Sequence, residues 1–104
     1  MIVVTSDEVP GREIEEALGL VTANSVRARH IGRDILAGLK NIVGGEIGAY
    51  RHLLIESREQ ALAELEAKSA ERGADAVVAV RIATASVAQG AAEILIYGTA
   101  VRLK

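Results

Sequence analysis

The chain has 104 residues, of which 50% are hydrophobic and only 2% aromatic, and its formal net charge is −2. A chain of this length is expected to form one domain spanning residues 1–104. Charges of both signs are interspersed and the pI is near 5.7, which argues against nucleic acid or an anionic membrane as a partner. The lack of cysteine excludes disulfides, thiolate metal sites and a cysteine nucleophile.

The N-terminal residues Met1–Glu8 lack the basic region and the long apolar region of a signal peptide. No uncharged apolar run approaches the roughly 20 residues that a membrane-spanning helix needs. We therefore expect a cytoplasmic protein with no membrane partner.

The first third of the chain contains two candidate strands. Residues 2–4 form a short apolar run that ends before the turn-favouring Pro10 and Gly11. Residues 13–29 are ambiguous, since their beginning could start a helix, whereas the alternation from residue 17 to residue 26 has strand period. We interpret this segment as a strand in which Gly19 marks a bulge or a close backbone approach.

The middle of the chain has helical periodicity. One helix is predicted over residues 30–43 and followed by Gly44, at the position where a helix end often needs a left-handed residue. A second helix is predicted over residues 49–72 and capped by Gly73. The two apolar stripes consist of Ile31, Ile35, Leu39 and Ile42 in the first helix, and of Leu54, Ala61 and Leu65 in the second.

The last third is predicted to be a hairpin of two strands. The first covers residues 76–82 and extends to Val87, the second covers residues 94–103, and residues 89–91 form the loop. Both faces of the second strand are apolar, whereas a half-solvated antiparallel sheet alternates apolar and polar residues. Because two helices cover only one face, we expect another copy of the chain to cover the second. The predicted fold is α+β, an antiparallel sheet on two consecutive helices in the order β-β-α-α-β-β.

Four segments match, in order, the motifs of a known family, and they span nearly the whole chain. They are Arg33-Asp34-Ile35-x-Ala37-Gly38, Ile42-Val43-Gly44-Gly45-x-x-Gly48-Ala49-Tyr50, Gly73-Ala74-Asp75-Ala76-Val77-Val78 and Gly98-Thr99-Ala100-Val101. On these segments the chain resembles the YbjQ family, a small prokaryotic family labelled as heavy-metal-binding whose biochemical function is not established. The resemblance implies a dodecin-like subunit whose sheets join in a ring-shaped homopentamer, and a metal ion as the one candidate cofactor.

The chain departs from that family in three places. Glu46-Ile47 stands where relatives often have Arg-Ser, and Arg51 follows the tyrosine where a glutamate is usual. Residues 80–85 read Val-Arg-Ile-Ala-Thr-Ala, whereas the corresponding strand of relatives is often acidic. If those carboxylates bind metal in relatives, this chain lacks them.

Two candidate sites have a simpler structural explanation. His30 and Asp34 are one helical turn apart and could share a metal ion, but two ligands are too few, and a role at the helix start is favoured. The glycine-rich segment 44–48 suggests a phosphate loop at a helix N-terminus. It lacks the Gly-Lys-Ser/Thr ending and follows a predicted helix rather than a strand, so a tight interhelical turn is favoured.

The sequence therefore predicts a non-enzymatic homo-oligomeric scaffold or binding module for a metal ion or small ligand, with no catalytic residue. From the resemblance, the ligand-binding residues would be Asp34, Gly44, Gly45, Gly48 and Tyr50. The alternative is an enzyme with carboxylates from Asp34, Glu46 or Asp75 in an intersubunit cleft.

Overall fold

The computed structural model describes residues 1–25, 47–88 and 91–104. They form four strands and one helix: β1 (Ile2–Val3), β2 (Ile14–Ser25), α1 (Ile47–Glu71), β3 (Ala76–Ala88) and β4 (Ala91–Leu103). The strands make one sheet in the order β1-β3-β4-β2. β4 pairs antiparallel with both β2 and β3, whereas β1 pairs parallel with β3.

The predicted fold, an antiparallel sheet on two consecutive helices, is wrong. The sheet is mixed, and the described residues contain one helix, in the order β-β-α-β-β. Strand period indicates that a segment is extended but not in which direction it pairs, which is why the parallel β1 was missed. The predicted helix over residues 30–43 lies outside the described residues. The dodecin-like ring and the homopentamer are not supported by this single-helix, mixed-sheet architecture.

The main core lies between α1 and one face of the sheet. Leu65 is 0% exposed and Ala61 is buried one turn before it, which confirms the predicted apolar stripe of this helix. Side chains of β2, β3 and β4 complete the cluster, namely Val21, Ala23, Val77, Val80, Ile94, Ile96 and Ala100. No helix among these described residues is both long and apolar enough to span a membrane.

The N-terminal segment of the chain covers one end of the opposite sheet face. Val9 is buried there, and Val4 and Ile14 pack beside it. They lie against Ala76, Val78, Val101 and Leu103 of β3 and β4. The sequence predicts that another copy of the chain covers this second face, but residues 4–14 cover this end of it.

Two glycines have the backbone conformation that the sequence predicts. Gly19 has a φ of +100° at the bulge that shifts the register of β2 against β4. Gly73 has a φ of +79° just after α1, and its N–H donates to the Ala70 carbonyl oxygen. Glycine adopts these angles without steric cost. The bulge, one of the two roles expected of Gly19, and the helix cap at Gly73 are thereby confirmed.

Candidate functional site

Most of the predicted ligand-binding residues lie outside the described part of the chain. Asp34, Gly44 and Gly45 belong to residues 26–46, of which the structure describes nothing. Gly48 and Tyr50 lie in the first turn of α1, two positions apart. The ligand site at this junction therefore stays a prediction.

Asp75, a carboxylate of the alternative enzyme hypothesis, links two strands. Its Oδ2 atom accepts a 2.9 Å hydrogen bond from the Leu103 N–H. Its own N–H donates to the Val101 carbonyl oxygen, also at 2.9 Å. The other two carboxylates of that hypothesis, Asp34 and Glu46, lie outside the described residues. The geometry thus gives Asp75 a structural role at the start of β3.

The outer edge of β3 is paired with the N-terminal segment only over its first half. Val4 donates its N–H to the Val77 carbonyl oxygen at 2.9 Å, and the Val80 N–H donates to the Val4 carbonyl oxygen at 3.0 Å. Arg81 follows this paired stretch directly, and its Nη1 atom donates to the carbonyl oxygens of Thr5 and Val80, both at 2.9 Å.

Beyond Val80 the same edge carries backbone groups that face away from β4 and have no partner strand among the described residues. In a strand paired on one side, successive residues direct their N–H and C=O groups alternately toward and away from the partner strand. The Val80 N–H points away from β4, so Ile82 and Thr84 also present their backbone groups outward. We call the backbone of Ile82–Ala88 the open edge. Among the described residues, β4 pairs with the inner side of this segment and no strand pairs with its outer side.

The amino-acid composition of the open edge lacks the features that discourage strand pairing. The run from Ile82 to Ala88 contains no charge, proline or glycine, and charges and proline are the usual means of blocking an edge strand. Ile82 is 47% exposed, and Ala83 and Thr84 are exposed as well.

The opposite edge of the sheet, formed by β2, is blocked by cations at the end of α1. Lys68 Nζ donates to the Thr22 carbonyl oxygen at 3.0 Å, and Arg72 Nη1 donates to the Leu20 carbonyl oxygen at 2.7 Å. The bulge at Gly19 interrupts the regular register of the same strand. We call Leu20–Thr22 the guarded edge, because its outward carbonyl groups are already hydrogen-bonded.

Sequence reasoning missed this contrast, because it does not give the order of strands in a sheet. A partial signal was present, since the uncharged run of residues 82–88 overlaps the departure from the family pattern at residues 80–85. Nothing in the sequence indicated that Lys68 and Arg72, at the end of α1, bind backbone carbonyl groups of β2.

Metal-ligating side chains are scarce in the part of the chain that the structure describes. It contains no group of three or more His, Asp or Glu residues placed to hold an ion. His52 Nε2 lies 3.7 Å from Glu56 Oε1, one turn along α1, and both side chains are exposed. His30 lies outside the described residues.

A polar cleft of approximately 340 Å³ lies beside the N-terminal loop, lined by Glu8, Arg12, Glu13 and Ile14. Arg12 Nη2 donates to the Lys104 carbonyl oxygen at 3.1 Å. Lys104 Nζ lies 3.4 Å from Glu13 Oε2. Two of the charged side chains that line the cleft thus already bind the last residue of the chain.

The sequence matches a family model over residues 1–104, and that family is described as "Putative heavy-metal-binding". The chain belongs to the YbjQ family. The resemblance of its four motifs is thereby confirmed, and the match covers all described elements of the sheet as well as α1.

Relatives with the name "UPF0145 protein" match along the whole chain. One from Colwellia psychrerythraea is 53% identical over 104 residues, covering 100% of this chain and 99% of the relative. One from Archaeoglobus fulgidus is 54% identical over 104 residues, covering 100% of this chain and 96% of the relative. Neither name states an enzymatic activity.

A solved structure shares the fold of this YbjQ family member. It is a protein of unknown function from Pediococcus pentosaceus that belongs to the DUF74 family, with a TM-score of 0.56 and 15% identity. The alignment covers 100% of this chain and 98% of that structure. At this identity the similarity concerns the fold alone.

Proposed function

We propose that this chain is a non-enzymatic homo-oligomeric scaffold or binding module whose copies join through the open edge of β3. The observation that carries the proposal is the contrast between the two edges of one sheet. The guarded edge has its outward carbonyl oxygens bound by Lys68 and Arg72, whereas the open edge offers backbone donors and acceptors in a run, residues 82–88, that contains no charged residue or proline.

A second copy of the chain is the occupant that fits this edge. Water satisfies exposed edge groups, but a long uncharged edge with β-branched residues is a template for another strand. Every copy carries the same uncharged run, so two open edges meet without like-charge repulsion. Burial of apolar surface such as that of Ile82 supplies the favourable free energy of association, about 25 cal/mol per Å².

The shape of the chain also supports association. Its radius of gyration is 16.5 Å, above the about 13 Å expected for a compact domain of this size. Its principal extents are 54 × 21 × 17 Å. A thin, elongated subunit leaves much of its sheet near the surface, where a neighbouring copy can bury it.

The experiment is a mass measurement by light scattering coupled to gel filtration, on the wild type and on two edge variants. The wild type is expected to elute at a multiple of its 10.9 kDa chain mass. Thr84→Pro removes an outward N–H without removing a bond to β4, and Ile82→Lys places a charge on the open edge. Both variants are expected to shift to lower mass while retaining the far-ultraviolet circular dichroism of the wild type.

Leu20→Lys is the matched control, because Leu20 is 63% exposed on the guarded edge strand. It adds the same charge to the same sheet and is expected to leave the mass unchanged. A monomeric wild type would contradict the proposal. Dissociation by Leu20→Lys with no effect of Ile82→Lys would show that the oligomer forms through another surface.

A further inference from the structure

We infer that this member of the family does not hold a thiophilic heavy-metal ion, because its donor set does not fit one. Soft metal ions select thiolate and thioether ligands, whereas imidazole suits borderline ions and carboxylate suits hard ones. The chain contains no cysteine. Its one thioether belongs to Met1, which is 48% exposed.

The histidine–carboxylate pair of the described residues does not compensate for the missing thiolates. His52 and Glu56 stand one turn apart on α1, with side-chain exposures of 77% and 53%. Water competes for an ion at such a surface, and a closed tetrahedral site of the zinc type needs four ligands. Within residues 1–25, 47–88 and 91–104, no third carboxylate or imidazole joins this pair.

The buried polar groups of the described residues do not supply a soft donor either. Ser25 Oγ is the buried side-chain atom left without a hydrogen-bond partner there. A neutral hydroxyl is a hard, weak ligand, so this atom does not change the kind of metal that the chain selects.

Association of copies multiplies these donors without changing their chemistry. A symmetric oligomer brings more imidazole and carboxylate groups to its axis, but none of its copies contributes a thiolate. The inference therefore holds for the monomer and for any homo-oligomer, and its test is independent of the proposed assembly.

The experiment measures Cd²⁺ retained after gel filtration in thiol-free buffer, with the metal quantified by mass spectrometry. The wild type is expected to retain no more Cd²⁺ than a His52→Gln variant. The double variant His52→Cys, Glu56→Cys keeps the same backbone positions and exchanges only the donors. It is expected to retain about one ion per chain, with a thiolate-to-metal charge-transfer band in the ultraviolet.

Retention of Cd²⁺ by the wild type near one ion per chain, or near one per oligomer, would overturn the inference. A second cysteine pair, Glu59→Cys with Ala63→Cys, provides another positive control on an exposed face of α1. Direct titration of the wild type with Cd²⁺ decides the question even if both cysteine variants fail to fold, because a tight saturable site would overturn the inference by itself.

Discussion

Arg72, the first residue after α1, donates a 2.7 Å hydrogen bond to the main-chain carbonyl oxygen of Leu20 on β2. Lys68, one turn earlier, makes the equivalent bond to Thr22 at 3.0 Å. Hydrogen bonds from charged donors are stronger than neutral ones. The end of the helix thus holds the edge strand and occupies groups that another chain would otherwise bind.

Removal of these two cations should open the guarded edge. The double variant Lys68→Ala, Arg72→Ala is expected to form larger species than the wild type in light scattering, because two outward carbonyl groups of β2 become available. Arg51→Ala, Arg58→Ala removes the same charge from α1 and should leave the mass unchanged. Equal masses for the two double variants would refute the guarding role.

Gly98 in β4 has no room for a side chain. A Cβ atom there would lie 2.8 Å from Val77 Cγ1, 3.0 Å from the Val78 carbonyl oxygen and 3.0 Å from Val80 Cγ2. We predict that Gly98→Ala lowers the free energy of unfolding by about 1–3 kcal/mol, the usual cost of overpacking. Urea denaturation at a fixed protein concentration measures this loss.

Gly73 provides the comparison, because it needs glycine for a different reason. Its φ is +79° and nothing lies within 4 Å of an added Cβ, so the cost there is backbone strain alone. Asparagine tolerates left-handed angles better than alanine. Gly73→Asn should therefore be more stable than Gly73→Ala, whereas Gly98→Asn should be less stable than Gly98→Ala. The same ranking at both positions would contradict the packing explanation for Gly98.

Leu65 is the largest of the fully buried side chains of the described residues. Truncation by Leu65→Ala removes apolar contacts and leaves a cavity between α1 and the sheet. We predict a loss of about 2–5 kcal/mol in the free energy of unfolding. Ala63→Ser, on the exposed side of the same helix, should change it by less than about 0.5 kcal/mol. Comparable losses at both positions would mean that α1 does not pack as described.

Asp75 stabilises the chain through its bond to the Leu103 N–H. Asp75→Ala leaves that partly buried donor without its acceptor, which should cost about 1–3 kcal/mol. Asp75→Asn keeps an oxygen at the same place and should cost less. Thermal unfolding followed by circular dichroism gives the ranking. An alanine variant as stable as the wild type would show that this carboxylate does not stabilise the fold.

Several elements could be predicted from local sequence, since local chemistry determines them. The alternation in residues 17–26 identifies β2, with Gly19 as the candidate bulge, and the stripe ending in Leu65 with Gly73 as cap identifies α1. The Glu64–Lys68 ion pair, with Nζ and Oε1 3.3 Å apart, also lies where the i,i+4 spacing places it.

The parallel direction of β1 could not be predicted, because it depends on contacts between residues far apart in the chain. Ile2 pairs with Ala76, 74 positions later. The cover that Val9 gives to the outer sheet face has the same origin. The contrast between the open edge and the guarded edge also depends on the order of the strands in the sheet, which local sequence does not give. For the candidate ligand site, only Gly48 and Tyr50 lie in the described residues, so the sequence remains the sole basis for Asp34, Gly44 and Gly45.

Hydrogen exchange of the open edge tests the proposed assembly most directly. Peptides covering residues 82–88 would be compared with peptides covering residues 18–24, at protein concentrations above and below the dissociation midpoint found by light scattering. The account predicts that residues 82–88 are protected at high concentration and lose protection on dilution or in Thr84→Pro, while residues 18–24 do not change. Protection of residues 82–88 that is independent of concentration, in a protein whose mass does change, would contradict it.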